Sequence, residues 1–484
     1  MKLHFLEDFY TNYGIDSPTQ VVITLGMLFI VAFLLTRITK KIKLPNVTAY
    51  ILAGILIGPY ILNLIPGQII TDMSFVTDVG LGFIAFSSGR YFNLSMIKHN
   101  GWKPVIMALM ESILTSAVVF LVMLPFNIPI GVALIIASIG GTTSSASTLM
   151  TIRQYKCTGS FVDYVVELNA LDNVLGILSF SVCSGIALAL LGVSGETGVF
   201  NAVWLPILVN LGLIGIGFLA GLFLSKVVIT PTRSKDNRLI LTVAGILLLV
   251  GLCGLTNIID DNLFATPLLC VMAFAASYIN FTGDDEIFEQ VSDFGAPIIL
   301  IFFVLSGVKF NISYLGTVGL IGIIYFLVRF AVKYGSSYLG ALVVKSDKTI
   351  TKYVGMTMIP QAGISIGLAA IVLRMLTGNY ASWGEQINAI IVFAGILYEI
   401  VGPALAKLAL KLSGSLTEET KGKFKKGQLV VESESMLRDV APIEDEEAYH
   451  KKMAEFNSMK NELDEANRYI HTTAYKESGK NKDS

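Results

Sequence analysis

Charged residues are scarce in this 484-residue chain: Asp, Glu, Lys and Arg make up 15% of it, against about 25% in an average soluble domain. Hydrophobic residues make up 54%. The charges are also uneven, because residues 413–484 hold 12 Lys or Arg and 15 Asp or Glu. The net charge of -1 offers no basic excess that would point to nucleic acid. The sequence therefore predicts an apolar body with a charged tail.

Motifs of enzymes and metal centres are missing as well. The four cysteines form no CxxC pair, so we expect free thiols rather than a disulfide framework or a metal site. All four histidines lie outside the long apolar runs, and no HExxH motif occurs, which disfavours an intramembrane enzyme. The tail has no strand followed by GxGxxG, which disfavours a nucleotide-binding domain there. No cofactor is predicted.

Thirteen apolar segments follow one another, most of them about as long as the roughly 20 residues that span a bilayer as a helix. They are residues 20–38, 47–65, 75–92, 103–124, 129–151, 161–191, 203–226, 238–257, 262–281, 291–312, 315–344, 353–376 and 386–410. The first lacks a small-residue cleavage site and is predicted to be a retained span. The predicted fold is an all-α membrane protein.

Loops that contain Lys or Arg alternate along the chain with loops that contain neither, and this pattern predicts the orientation of the chain in the membrane. Basic residues follow spans one, three, five, seven and eleven, whereas loops 66–74, 125–128, 193–202, 258–261 and 377–385 contain none. Loop 282–289, predicted inside, is acidic and is the exception. Because cytoplasmic loops favour Lys and Arg, we expect an extracellular N-terminus (1–19), a transmembrane domain (20–412) and a cytoplasmic tail (413–484).

Residues 444–470 of the tail could form a helix, since apolar residues recur there at heptad spacing. Two interpretations stay open, a solvated single helix and a short pairing helix, because two heptads are few for a coiled coil. The rest of the tail is predicted to be partly helical or disordered.

Two spans contain helix breakers near their middle. Span five carries Gly140 and Gly141 followed by four hydroxyl residues, and span twelve carries Pro360, Gln361 and Gly363. Tight packing by small residues is one explanation. The other is non-helical backbone, which is tolerated at that depth only inside protein or along a wet cavity. The spans lie seven apart, so spans one to six and eight to thirteen could be inverted repeats, the arrangement that marks a secondary transporter's binding site.

Charged residues within spans indicate where such a site would lie. Asp172 is in the middle of span six, and an ionised carboxylate there is costly unless paired or hydrated. Burial favours its neutral form, which suits a group that exchanges a proton for a cation. Glu399 in span thirteen is its counterpart by the repeat hypothesis. Arg329 and Lys333 share a face of span eleven, and Lys333 could instead snorkel to the inner interface.

Five more charged residues lie nearer span ends and are expected to be interfacial or structural: Glu111, Asp163, Glu167, Asp293 and Lys309. Among them Glu167 is the expected exception, because it lies little more than one helical turn from Asp172.

Six segments carry a family resemblance: LPNVTAYILAGILIGP (44–59), FSSGRYFNLSMI (86–97), TTSSASTLMTIRQYK (142–156), NALDNVLGI (169–177), RFAVKYG (329–335) and PQAGISIGLA (360–369). Together, in order and at the expected spacing, they resemble the monovalent cation:proton antiporter-2 family of the sodium/hydrogen exchanger superfamily. The resemblance covers about residues 20–410.

The resemblance implies about thirteen transmembrane helices in two inverted six-helix repeats. It implies that the broken helices at spans five and twelve cross in a core domain, which moves against a homodimerising domain to give alternating access. The expected location is the cell membrane of a bacterium. The family's ion site is a residue pair in span six, either two aspartates or Asn-Asp, whose second member carries the proton or cation.

Carried onto this chain, the pair is Asp172–Asn173, which departs from the family because an amide does not titrate. Three explanations stay open: Asp172 takes over as carrier, position 173 holds a substitution that traps one state, or the chain binds cations without exchanging them. Ser145 also stands where many relatives have Pro, which would soften the break. The basic residue often paired with the first acid would be Arg329 or Lys333.

The leading hypothesis is exchange of protons for Na+ or K+ across the cell membrane, with Asp172 holding each in turn. Five residues are predicted to bind the ion: Asp172, Asn173, Thr142, Thr143 and Ser144. Two would balance charge, Arg329 and Lys333, and three would support the site, Glu167, Gln361 and Glu399. The rival hypothesis is a cation-binding sensor or channel-like protein without proton exchange, and Asn173 favours it.

Overall fold

The computed structural model describes residues 15–41, 45–92, 101–192, 199–228, 234–255 and 267–416, together with residues 10, 12 and 13. The predicted tail helix at 444–470 and nearly all of the tail lie outside these residues. The α-helices within the described ranges are, in order, α1 Ser17–Lys41, α2 Asn46–Ile57, α3 Gly67–Asp72, α4 Phe75–Gly89, α5 Lys103–Met123, α6 Ile130–Gly141, α7 Ser145–Gln154, α8 Ser160–Leu190, α9 Val199–Val228, α10 Lys235–Gly254, α11 Pro267–Thr282, α12 Glu286–Val308, α13 Leu315–Val343, α14 Lys348–Thr357, α15 Gly363–Met375 and α16 Ala381–Leu412. No β-strand occurs in them, which confirms the all-α prediction.

Nine helical segments of the described chain are long and apolar enough to cross a membrane. They are Ser17–Thr39, Gly67–Gly89, Lys103–Phe126, Ser160–Leu190, Ile207–Val227, Lys235–Gly254, Glu286–Val308, Ile312–Val343 and Gly378–Leu412. Shorter apolar helices, α2, α6, α11 and α15, lie in the other four predicted spans. The chain is thus a multi-pass membrane protein whose predicted spans all contain a helix. The four cysteines lie within the described residues, and none of them is in a disulfide bond.

The helix in the second predicted span is shorter than expected. Residues 47–65 were predicted as one span, but α2 ends at Ile57, and Gly58 has an extended backbone (φ -66, ψ 172). Pro59 follows, and proline cannot continue the helix because it lacks the N–H. The next residues form turns, in which the Asn63 N–H donates to the Gly58 carbonyl at 2.8 Å.

The helices pack into two groups that take members from both halves of the chain. Bundle A contains α1–α4 and α9–α12, with α9 against α11, α2 against α12, and α4 against both α11 and α12. Bundle B contains α5–α8 and α13–α16, with α5 against α13, α6 against α8, and α15 against α16. Arg374 of α15 makes a two-pronged ion pair with Asp78 of α4, at 2.7 and 2.8 Å, and so joins the bundles. Both predicted interruptions lie in bundle B.

Helix α9 approaches α11 so closely that Gly217 has no room for a side chain. A Cβ built at Gly217 would lie 1.9 Å from the carbonyl oxygen of Cys270, whereas one at Gly215, in the same helix, would meet nothing within 4 Å. Backbone at that distance can move only if the two helices separate.

We expect Gly217→Ala to lower the melting temperature of the detergent-purified protein, because overpacking costs about 1–3 kcal/mol. Gly215→Ala is the matched control and should be neutral or slightly stabilising, since alanine is the better helix former by up to about 1 kcal/mol. Equal melting temperatures for the two variants would contradict the close α9–α11 contact.

Candidate functional site

The two predicted interruptions are real breaks in the helices. Residues 142–144 separate α6 from α7, and residues 358–362 separate α14 from α15. Each break leaves backbone N–H and C=O groups without partners inside their own helix. Since almost all buried backbone groups are hydrogen-bonded, these groups need partners elsewhere.

Part of that need is met because the breaks bind each other. The backbone N–H of Ser144 donates to the Pro360 carbonyl at 2.8 Å. The Thr143 hydroxyl donates to the Met358 carbonyl at 3.3 Å. The two interruptions, more than 200 residues apart in sequence, therefore meet at one crossing in bundle B.

Side chains at the breaks strengthen this crossing. Gln361 Nε2 donates to the Ile139 carbonyl at 3.0 Å and to the Tyr325 hydroxyl at 2.9 Å. The hydroxyls of Thr142 and Ser365 share a hydrogen bond of 2.6 Å. Thr142, Thr143 and Gln361, predicted as ion-binding or supporting residues, thus also hold the two breaks together.

Arg329 of α13 binds carbonyl groups from both breaks. Its Nε donates to Gly140 at 2.8 Å, and its two terminal nitrogens donate to Thr142 at 2.5 Å and Ile359 at 2.8 Å. Its guanidinium carbon lies 4.7 Å from the centre of the Tyr398 ring. Helix C-terminal ends carry partial negative charge, so a fully buried cation at this point balances the ends of α6 and α14.

Lys333, one turn further along α13, lies among oxygen atoms. Its Nζ is 2.8 Å from Glu111 Oε1, 3.2 and 3.3 Å from the two Asp172 oxygens, and 2.5 Å from the Gly141 carbonyl. Lys333 and Asp172 are both 0% exposed, so the snorkelling alternative for Lys333 is wrong. The Lys333 ammonium group donates hydrogen bonds to the Gly141 carbonyl and to Asp172, and its contact with Glu111 is an ion pair.

Glu111 is the residue that sequence reasoning missed. It was expected to be interfacial or structural, but its side chain is 1% exposed and contacts Lys333 in the centre of bundle B. The signal was its position in α5, where it stands in an apolar helix next to Ser112 and four residues before Thr115. Both of these neighbours are buried too, so this polar face points inward.

Asp172 and Asn173 contact different neighbours, although the resemblance treats them as a pair. Successive helix residues point about 100° apart, so Asp172 reaches Lys333 on α13 while Asn173 reaches α7. Asn173 Nδ2 donates to the Ser145 hydroxyl at 2.9 Å. Its carbonyl oxygen Oδ1 is buried and has no hydrogen-bond partner among the described residues. The pair therefore faces two sides of the crossing.

The remaining predicted residues lie around α7 and α8. The Ser147 hydroxyl donates to Glu399 Oε1 at 2.6 Å, which fixes the Glu399 side chain beside the first turn of α7. The hydroxyls of Ser144 and Ser147 are 3.5 Å apart. Glu167 is buried on α8, five residues before Asp172.

Helices α8 and α16 meet the two breaks in a similar way. A Cβ built at Gly176 would lie 2.7 Å from Thr142 Cγ2, and one built at Gly402 would lie 2.8 Å from Pro360 Cγ. Gly176 follows Asp172 by four residues, and Gly402 follows Glu399 by three. Each long helix thus places a glycine against a break and a carboxylate one turn before it.

A sequence model of one family matches most of the chain. It describes the transmembrane part of sodium/hydrogen exchangers and matches residues 28–411. A curated relative is Na(+)/H(+) antiporter 1 of Methanocaldococcus jannaschii, which is 25% identical over 303 residues, 60% of this chain and 68% of that protein.

Solved structures give a matching fold. The sodium proton antiporter MjNhaP1 of Methanocaldococcus jannaschii at pH 8 has a TM-score of 0.66 at 20% sequence identity, over 82% of this chain and 99% of that chain. An electron-microscopy structure of the same antiporter has a TM-score of 0.61 at 20% identity, over 87% and 98%. At 20% sequence identity, this similarity shows the fold alone.

Proposed function

Because the chain belongs to the sodium/hydrogen exchanger family, we propose that it exchanges protons for Na+ or K+ across the membrane by alternating access, with Asp172 as the carrier. Its relatives are transporters and not enzymes. The family and the fold support cation–proton exchange, and the observation that favours Asp172 is its contact with the Lys333 ammonium group, which is surrounded by oxygen atoms.

The balance of buried charge supports exchange at the crossing. Among the described side chains, the fully or nearly fully buried charged residues are Glu111, Glu167, Asp172, Arg329, Lys333 and Glu399. Four of these are acids and two are bases. A buried carboxylate that meets no basic side chain is costly, so an acid such as Glu399, which meets none among the described side chains, favours a bound proton or cation. A protein that can bind a proton or a cation at the same place is suited to exchanging them.

The surroundings of Lys333 resemble those that an alkali cation prefers. Two carboxylates and the Gly141 carbonyl supply only oxygen atoms to its ammonium group. An entering Na+ or K+ would compete with that ammonium for Asp172, and loss of one proton from the Asp172–Lys333 pair would keep the site's charge unchanged. Return of the proton would then release the cation on the other side.

Thr142 and Thr143 remain the proposed partners of the cation around Asp172, whereas Asn173 and Ser144, also predicted to bind it, contact Ser145 and Ser147 on the other side of the crossing. Arg329 offsets the helix ends at the breaks, which keeps them in place while the site changes occupant. Gln361 would support this arrangement through Ile139 and Tyr325. Glu167 is proposed to support Asp172 from one turn away on α8.

The proposed transport cycle moves bundle B against bundle A. Thirteen spans in two inverted repeats, an external N-terminus and a cytoplasmic tail complete this proposal. Helices from corresponding places in the two halves pack together, as α5 and α13 do, and the two glycine contacts at the breaks are alike. Bundle A would carry the homodimer contact. Such pairing supports the repeats, and paired broken helices are typical of secondary transporters.

We expect Asp172→Asn to abolish cation-dependent proton movement in proteoliposomes that carry a pH gradient, reducing it to the rate of empty liposomes. The amide can neither titrate nor supply charge to the ion, while Lys333 keeps Glu111 as a partner, so the protein should still fold. The measurement is dequenching of a pH-sensitive dye after addition of NaCl or KCl.

The matched control is Asp163→Asn, which makes the same change on an exposed first-turn residue of the same helix. It should transport like the unmodified protein. Cation-dependent proton movement that survives in Asp172→Asn would rule out Asp172 as carrier. Cation binding or conductance without any proton movement in the unmodified protein would instead favour the sensor or channel-like alternative.

A further inference from the structure

Glu399 is a buried acid with no basic partner among the described side chains. Glu111 and Asp172 share Lys333, and Arg329 is bound to carbonyl groups. No described Lys or Arg lies within ion-pair distance of Glu399, which is 3% exposed and accepts a hydrogen bond from Ser147. Its carboxylate lies beside the N-terminal turn of α7, an end of a helix that carries partial positive charge.

Asn173 contributes a second unsatisfied oxygen on the same helix. Its Nδ2 is bound to Ser145, while its Oδ1 is fully buried and has no hydrogen-bond partner in the part of the chain that the structure describes. Buried polar atoms in native proteins are nearly always paired, so an unpaired one calls for an explanation such as an ion. A carbonyl oxygen accepts a hydrogen-bond donor or a cation, and nothing else satisfies it.

Three serines at the start of α7 contact Asn173, Glu399 or each other. We call Ser144, Ser145 and Ser147 the α7 hydroxyl cluster. Asn173 binds Ser145, Glu399 binds Ser147, and the hydroxyls of Ser144 and Ser147 are 3.5 Å apart. All three serines are buried. One carboxylate, one amide and three hydroxyls thus line one side of the crossing, away from Lys333.

We propose that Glu399, the α7 hydroxyl cluster and Asn173 form a second monovalent-cation site, in which Glu399 supplies from α16 the acid that position 173 lacks. Hard alkali cations prefer oxygen ligands of these types. One carboxylate balances one positive charge, so the site suits a monovalent ion better than a divalent one. The proposal rests on the proposed function only in taking the transported cation as the ligand.

The test measures cation binding to the purified full-length protein. Melting temperature is followed in detergent as NaCl or KCl is added, with choline chloride at equal ionic strength as reference. Glu399→Gln keeps the hydrogen bond to Ser147 but removes the charge, and it should weaken the apparent cation affinity about tenfold or more. Glu385→Gln makes the same change on the same helix, outside the cluster, and should leave the affinity unchanged.

Two further variants separate an ion site from a structural role for Glu399. Asn173→Asp alone should raise the cation affinity. This variant tests whether position 173 lies in a cation site even if Glu399→Gln fails to fold. In the Glu399→Gln background, Asn173→Asp should restore the affinity, because the acid returns to the same site. If Glu399 only balanced the helix end, Glu399→Gln would lower stability without changing cation affinity.

Three results would overturn the second site: no cation-dependent stabilisation of the unmodified protein, unchanged affinity in Glu399→Gln, or unchanged affinity in Asn173→Asp. Failure of the transport hypothesis is a different result, because binding in this assay requires no proton movement. A protein that binds cations through Glu399 but moves no protons would support the site and reject the exchange.

Discussion

Arg329→Met is expected to destabilise the protein strongly, because it removes the side chain that binds both breaks. Arg329 satisfies the carbonyls of Gly140, Thr142 and Ile359, which belong to both breaks. Methionine fills similar space but donates nothing. A buried group left unsatisfied costs about 1–3 kcal/mol, so three of them should cost about 3 kcal/mol or more.

The measurement is the melting temperature and monodispersity of the detergent-purified protein. Arg329→Lys keeps the charge but has one nitrogen for three carbonyls, so it should recover only part of the loss. The control is Arg374→Met, which breaks the partly exposed ion pair with Asp78, worth about 1 kcal/mol or less. If Arg329→Met melted no lower than Arg374→Met, Arg329 would not be what holds the breaks.

Lys333→Met is expected to destabilise the protein by about 3–5 kcal/mol and to stop exchange. It removes the shared partner of two buried carboxylates, Glu111 and Asp172, and so leaves uncompensated charge in a low-dielectric interior. Methionine retains the length of the side chain, so the effect reports charge rather than a cavity. Thermal melting and the proteoliposome assay measure the two consequences.

A second substitution tests whether Glu111 belongs to this cluster. Adding Glu111→Gln to Lys333→Met removes one unpaired acid, and the double variant should melt higher than Lys333→Met alone. The two residues should therefore be strongly non-additive, as groups in one buried network are. If the effects of the two substitutions on the melting temperature were additive, Glu111 would not share Lys333 with Asp172. Its role would then be structural, as first expected from the sequence.

Sequence patterns gave much of the architecture and the region of the site. Runs of apolar residues predicted a helix in each of the thirteen spans, and Gly140–Gly141 and Pro360 marked both breaks, but the short helix α3 (Gly67–Asp72) lies in a segment predicted as a loop. Asp172 stood out because a carboxylate in mid-span needs a partner. These features are local, since each follows from the chemistry of one short segment in an apolar medium.

Other features followed from contacts that no local pattern encodes. Glu111 looked interfacial because a position along one helix does not reveal which face meets another helix. Lys333 was open to a snorkelling interpretation for the same reason. The length of α2 was overestimated, because hydropathy alone does not register the stop at Gly58 and Pro59.

The sequence by itself determined that this is an all-helical membrane protein of the exchanger type with two interrupted helices and a carboxylate at Asp172. Only the tertiary structure decided which charges meet: Lys333 with Glu111 and Asp172, and Glu399 with Ser147. The reason is physical. Hydropathy and helix breaking act within a segment, whereas the pairing of buried charges depends on which faces of distant helices come into contact.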